Sequence, residues 1–472
     1  MNKSLMFLLL ALDLGLLNGC GGSATPPPPA THLSLSVPAN APNSVSLSVM
    51  VTALDASNQP TTNYSGIVHF TSSDPRAQLP ADSTLASATR TFPVTLTTAG
   101  SQTITATDKA VASISGTSSQ INVGAFADAF PVEWYGAKGD GVTDDTAAIQ
   151  SAINAAVAAG GGSVLFKVAR YFTTGTFLVP DGVVLCGTVE GPFDVQGVDP
   201  AATAIAPTLL VTNTASPFLS LRGNGSAGVT DLLFHYPNQV KTSASVPNIY
   251  PYTILLESGK VARLTVTNAY NFVDVDNNNG SDGSELAEDL YIGAFNIGVH
   301  VDHAFNGLTL HNLHNGVFWD EVEGASYPTA VDKWVLNNGT ALVVGRVDGL
   351  RLHDFSVFSR FAGILFTDSP DTSLDQRSGG GASSDIDLET VQYGVIVTAS
   401  TGYGYGYEFT NLQVSAAPGL GLAAVQLRSG GSSPPEVLVN GGSVRGTWAL
   451  GAFPTPQAGN LTHVNIIGSD LP

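Results

Sequence analysis

The sequence predicts an all-β chain in two parts: a two-sheet sandwich over residues 31–124, and a β-solenoid with a short capping helix over residues 130–472. Three observations carry that prediction. Residues 31–124 are rich in Ser and Thr and alternate apolar with polar, the period of half-buried strands. An apolar-alternating strand recurs at 264–268, 290–292, 308–312, 350–354, 386–388 and 437–440, at intervals several of which lie near the roughly twenty residues of one solenoid coil. Between the two parts, a Gly-rich loop, a helix and a strand follow one another over 134–166.

In the first part the alternating positions are Leu33, Leu35 and Val37; Val45, Leu47, Val49 and Val51; Val68 and Phe70; Phe92, Val94 and Leu96; Ile104 and Ala106; Ile121 and Val123. Short strands separated by turn residues are the pattern of a β-sandwich. About a hundred residues suffice for one such core. Residues 64–70 (YSGIVHF) and 99–108 (AGSQTITATD) resemble bacterial immunoglobulin-like and filamin-like repeats, which implies an immunoglobulin-like β-sandwich. Nothing in it has catalytic composition, so a spacer is expected, with an accessory binding module as the alternative.

The segment 136–141 (GAKGDG) packs three glycines into six residues and must be a tight loop. Asp144, Asp145 and Thr146 offer N-caps, and the acids suit the positive end of a helix dipole. Ala148, Ile149, Ala152, Ile153, Ala156 and Val157 then recur at helical spacing, Gly160 to Gly162 stop the helix, and a strand begins at Ser163. Loop, capped helix, Gly stop and strand in this order resemble the opening of the pectate-lyase-like superfamily, which includes polygalacturonases and phage tailspikes. The resemblance implies a right-handed parallel β-helix from 130 to the C-terminus. The acidic residues of this opening read as caps rather than as catalysts.

A second strand follows most of the recurring ones: 272–276 (FVDVD), 298–302 (GVHVD), 316–320 (GVFWD), 363–367 (GILFT) and 394–398 (GVIVT). Side chains alternate faces along a strand. Val273/Val275, Val299/Val301, Val317/Trp319, Ile364/Phe366 and Val395/Val397 are expected inward. Asp274, Asp276, His300, Asp302, Phe318 and Asp320 are expected outward. If three of these coils are consecutive, Asp276, Asp302 and Asp320 form a column of carboxylates, neighbours roughly 5 Å apart and the outer two roughly 9–10 Å. Carboxylates so close repel, which raises the pKa of at least one or draws in a cation. A raised-pKa acid beside an ionised carboxylate is what glycosidic cleavage uses. Asp276, Asp302, Asp320 and His300 are therefore the catalytic candidates. Asp274, Glu321 and Tyr327 are the substrate-binding candidates, Tyr327 for its stacking face. His303 lies one step past a strand end, with its direction open.

The family pattern is only partly present. Polygalacturonases carry paired Asp before this kind of strand, a Gly-His-Gly and an Arg-x-Lys. The corresponding slots here are Asn271, Ile297, Asn315 and Ala362, and neither of the other two motifs occurs. Lyases of this fold use an Arg base, and Arg346, Arg351 and Arg360 are all available. The loop from Pro237 to Tyr252 is aromatic and Pro-rich, a composition suited to binding. Tyr403, Tyr405 and Tyr407 share one strand face and read as a packed ladder. Cys186, in an apolar strand, reads as core.

Composition limits function. Thirty-eight acidic against 18 basic residues give a net charge of −20, which disfavours nucleic acid and anionic membrane surfaces. Lys3, an apolar run over 5–17 and Cys20 after Gly19 read as a lipoprotein signal over 1–19 with lipidation at Cys20. Residues 20–30 read as a Gly/Pro tether. Cofactors are expected to be none or Ca2+, for which 276–282 offers oxygen ligands without the EF-hand spacing. The expected chain is an exported, lipid-anchored polysaccharide-binding and polysaccharide-cleaving protein, hydrolase or lyase, with a non-catalytic surface glycan binder as the competing class.

Overall fold

The computed structural model describes residues 28–38, 40–42, 46–61, 63–85, 88–98, 100–124, 129–195, 198–239, 246–276, 285–304, 307–316, 329–371, 380–398, 406–416, 423–427, 437–445 and 464–467. In the N-terminal part, one antiparallel sheet pairs His32–Ser36, Ser46–Leu54 and Thr89–Thr95. A second pairs Ser83–Thr84, Ile67–Ser72, Ile104–Asp108 and Ser115–Thr117. Their inward residues, among them Leu35, Val49, Phe70, Phe92 and Ile104, share one buried core. The alternation had marked these positions because a sandwich strand buries one face only.

From Ala129 onward the strands form one continuous 23-stranded set among the described residues, each strand pairing in parallel with the next coil. Each full coil contributes three segments. The long strands Lys260–Asp276 and Leu286–Asp302 run through all three sides of their coils. Their segments 260–262, 264–267 and 271–276 belong to a first, second and third sheet. Helix Thr146–Ala158 covers the open end of this stack and buries Ile149, Ala152, Ile153 and Ala156 in the same core, while Val157 is exposed. Of the two acids expected as caps, Asp144 accepts the Thr146 N–H at 3.0 Å. Asp145 instead turns back and takes the N–H groups of Lys138 and Gly139, at 2.6 and 3.0 Å, so it fastens the glycine loop. Inside, rings pack edge-on or tilted against one another along the coils, with Phe177, Phe218, Phe234 and Phe272 at centroid distances of 5.5, 6.1 and 6.4 Å. Cys186 is half-buried and lies on the outer face, between inward Leu185 and Gly187. The expectation of a core thiol is corrected because the strand's alternation starts from buried Val183.

The corner between the first and second sheets repeats a single left-handed residue per coil. Arg263, Asp289, Asn312, Asp354, Asp385 and Asn411 have φ between 51° and 57°, and Gly441 has 74°. Asn, Asp and Gly adopt this conformation at least cost. The corner side chains bond along the stack: Asn312 Nδ2 donates to Asp289 Oδ1 at 2.7 Å and Asn411 Nδ2 to Asp385 Oδ1 at 2.8 Å. Arg263, a poor left-handed residue, is held by Asp231 of the preceding coil at 2.7 Å. Asn411→Ala loses both the conformational tolerance and the bond. Thermal unfolding is expected to show a loss of about 2 kcal/mol, and no loss would remove the corner ladder as a source of stability.

Candidate functional site

The third sheet builds the site. Its outer-facing column reads Leu255, Asp274, His300, Val343, Leu365 and Ile396 on successive coils. One acid and one imidazole therefore stand side by side within an otherwise apolar stripe. His300 Nδ1 donates to Asp274 Oδ1 at 2.6 Å, and the Tyr252 ring stacks on the imidazole at 6.0 Å and 27°. Burial alone lowers the His300 pKa, but the Asp274 bond, with the charges of Asp274, Asp302 and Asp276, outweighs it and lifts the group above its ordinary 6.5. Nε2 of His300 has no partner among the described residues.

Two residues along the same strand stands Asp276. Its Oδ1 accepts from His303 Nδ1 at 3.0 Å. Burial is the largest influence on this carboxyl and raises its pKa; the His303 bond pulls it down, the charges of Asp274 and Asp302 push it up, and the net is above the ordinary carboxylate value. His303, itself left-handed with φ 51°, is held from both ring nitrogens, since Nε2 lies 3.3 Å from Ser369 Oγ and 3.5 Å from Asp371 Oδ2. Strong left-handed strain in a His is tolerated where its surroundings over-determine it. Two Asp–His pairs thus bridge the same two adjacent coils.

The expected three-carboxylate column is not formed as the sequence suggested. Asp276 and Asp302 are paired in register. The next coil of the third sheet, however, is Thr340–Val344, so the residue following Val344, Gly345, takes the third place. The helix Ala330–Asn338 precedes that strand, and 317–320, expected as the next rung, lie outside the described residues. Asp302 also does not face solvent. It is 2% exposed, and its Oδ1 accepts the N–H groups of His303 and Arg346 at 3.0 and 2.8 Å while Oδ2 accepts from Ser369 Oγ at 2.8 Å. Asp320, Glu321, Tyr327 and Cys20 lie outside the described residues, as do Tyr403, Tyr405 and positions 277–282 of the oxygen-rich loop. Tyr407 is buried, 4.0 Å from the Phe366 ring, as a packed residue.

Of the three arginines, Arg346 is buried with its guanidinium 3.3 Å from Asp348. Arg360 is buried against Asn315 at 2.7 Å, and Arg351 is exposed on the first sheet. None stands in the Asp274–His300 column. Among the described residues no group of three or more His, Cys, Asp or Glu is arranged to hold a metal ion. Tyr252, Ser369 and Asp371 were not singled out as site residues. Tyr252 closes the aromatic loop marked in the sequence, but the contacts of Ser369 and Asp371 arise between coils and leave no local signal.

Residues 129–207 match the family model described as rhamnogalacturonase A/epimerase, pectate lyase-like. The opening of the solenoid is therefore similar to a pectate-lyase-like domain. The match ends before Tyr252, the first site residue in the chain. The mannuronan C5-epimerase AlgE2 of Azotobacter vinelandii is 43% identical over 76 residues, 16% of this chain and 7% of that protein. Alginate lyase 7 of the same organism is 48% identical over 56 residues, 12% of this chain and 6% of that protein. The chain thus spans under a tenth of the length of these two curated relatives. Among solved structures, the A-module of the Azotobacter vinelandii mannuronan C-5 epimerase AlgE6 aligns with 73% of this chain and 100% of its own, at 13% identity and a TM-score of 0.32.

Proposed function

We propose that this pectate-lyase-like chain cleaves a neutral or weakly charged polysaccharide by hydrolysis, with Asp276 as general base and His300 as general acid. The observation that carries the reading is the two Asp–His contacts that bridge one pair of adjacent coils. Desolvated ionisable groups set into an apolar stripe cost stability and mark sites. His303 and Asp274 are the positioning residues: the first fixes one oxygen of Asp276, the second fixes the His300 ring and leaves Nε2–H to protonate a leaving oxygen. Asp276 and His300 lie two residues apart along the strand and one coil across, which puts their Cβ atoms about 8 Å apart. That suits the roughly 6.5–9.5 Å between acid and base that leaves room for a water in inverting hydrolysis. Hydrolysis is favoured over β-elimination by charge. Elimination requires a uronate, and a net charge of −20 repels a polyanion. The same proposal places the chain at a bacterial surface, exported by residues 1–19 and lipid-anchored at Cys20, with 31–124 as an immunoglobulin-like spacer.

The test is a panel of neutral and uronate glycans, with and without calcium, read for reducing ends and for unsaturated uronic products. New reducing ends without unsaturation are expected. Unsaturated product would replace hydrolysis by elimination, and binding with no cleavage would leave a surface glycan binder. The pH profile of kcat/KM is expected to be bell-shaped. Asp276 must be ionised, so activity rises as pH climbs through its raised pKa. His300 must be protonated, so activity falls as pH climbs through its pKa, which lies above 6.5. A profile still rising above neutrality would make His300 a base and overturn the assignment.

A further inference from the structure

The outer face of the second sheet holds a pocket of about 230 Å³ that the reading above does not use, lined by His314, Asn315, Ser356, Phe358, Asp387 and Glu389 together with Gly316 and Val357. The register explains the hollow. Ile292, Asn315, Val357 and Leu388 occupy one column, so the next residues on each coil are Gly293, Gly316, Phe358 and Glu389. Two coils without a side chain lie below a phenyl ring and a carboxylate.

The polarity of the lining follows from a chain of hydrogen bonds. Asn312 Nδ2 donates to Asp289, so Asn312 Oδ1 is the atom facing His314 Nε2 at 2.8 Å and must accept. Burial holds the His314 pKa below its ordinary value, against the pull of Asp289 and Asp354, and a neutral imidazole carries one proton. With that proton on Nε2, Nδ1 accepts from Ser356 Oγ–H at 2.7 Å. Tyr291 packs edge-on to the same ring at 5.3 Å. The proton of Ser356 is thereby committed, and its oxygen offers lone pairs only. Asp387 and Glu389 add carboxylate acceptors from the same strand face, roughly 7 Å apart. The pocket is a socket of acceptors beside one aromatic wall.

We infer that this socket binds a single neutral sugar unit of a polysaccharide, at a second site distinct from the Asp276–His300 pair. A sugar ring supplies hydroxyl donors for Ser356, Asp387 and Glu389, and a C–H face to lie along the Phe358 wall of the pocket. Two carboxylates and the chain's negative charge exclude a uronate. The volume suits about one ring rather than an extended oligosaccharide. The second and third sheets are different faces of the same coils, so a glycan held here leaves the proposed cleavage site open. The inference rests on the reading above only for the substrate class.

Affinity electrophoresis of the full chain in gels containing dextran, galactomannan, xyloglucan, polygalacturonate or chitosan tests it. At least one neutral glycan is expected to retard the parent protein, and Phe358→Ala is expected to weaken that retardation about tenfold or more. Asp387→Asn, which keeps size and fold, is expected to weaken it severalfold. Cleavage of a short soluble oligosaccharide should be unchanged in both variants, as should circular dichroism. Retardation equal in parent and both variants, retardation by chitosan or polygalacturonate alone, or none by any neutral glycan would each overturn the second site. Cleavage is read separately, so loss of the hydrolase reading leaves the binding result standing.

Discussion

Asp276→Asn is expected to lower kcat/KM on the cleaved glycan by about 10²–10⁴-fold, the range for removing a general base. The substitution keeps the shape of the side chain. It can leave an amide oxygen facing His303 Nδ1, now 3.0 Å from Asp276 Oδ1, so the fold and the His303 position should survive. What it removes is the carboxylate charge that draws a proton from water. The acid limb of the pH profile should vanish with it, because that limb is the ionisation of Asp276. His303→Gln is the informative companion. A positioning residue lost in this way should cost less and should shift the acid limb, since the His303 bond is what draws the Asp276 pKa down. Asp276→Asn with full activity and an unchanged profile would remove the third-sheet pairs from the mechanism.

Asp302→Ala is expected to destabilise the β-helix by about 4 kcal/mol, while Asp302→Asn costs about half of that. The carboxylate is buried and serves three donors: the N–H groups of His303 and Arg346 and the hydroxyl of Ser369. Each donor left unmet in the interior costs about 1–3 kcal/mol. Asn still offers an oxygen to the two backbone groups but must present its amide to Ser369 or turn away. Thermal unfolding measures the loss, and hydrogen exchange at the Arg346 amide locates it. The contrast with Asp276 is the point. Asp276→Asn should cost activity and little stability, and Asp302→Ala should cost stability first. An Asp302→Ala protein as stable as its parent yet inactive would return Asp302 to the catalytic role its sequence position suggested.

The two aspartates show where reading the sequence stops. Both end a VxVD stretch, and both were expected outward by alternation. Alternation correctly separated Val273, Val275, Val299 and Val301, all fully buried, from Asp274 and His300. It fails at Asp302, where the chain leaves the sheet and the carboxylate is buried. At Asp302 it leaves through left-handed His303, which swings the carboxylate under the next coil toward the Arg346 N–H. The same limit explains Asp145, a suitable N-cap by position that instead ties down the loop before it.

What the sequence determined by itself is what local chemistry dictates. Period-two alternation set the inward residues of the sandwich and of each coil. Capping residues and glycines set the helix at the start of the solenoid, and the Pro-rich aromatic loop ended at a residue that does pack on the site, Tyr252. Only the tertiary structure decided which coils are neighbours. The segment between Asn315 and Thr340, with its helix, puts Thr340–Val344 beside His300, and no local period records that skip. The sharing of Asp302 among His303, Arg346 and Ser369, and the pocket that Gly316 and Phe358 help to line, are likewise products of register between coils. Side-chain alternation is a property of one strand; register belongs to a pair of strands, and a parallel pair is joined by connections whose length the stacking itself does not restrict.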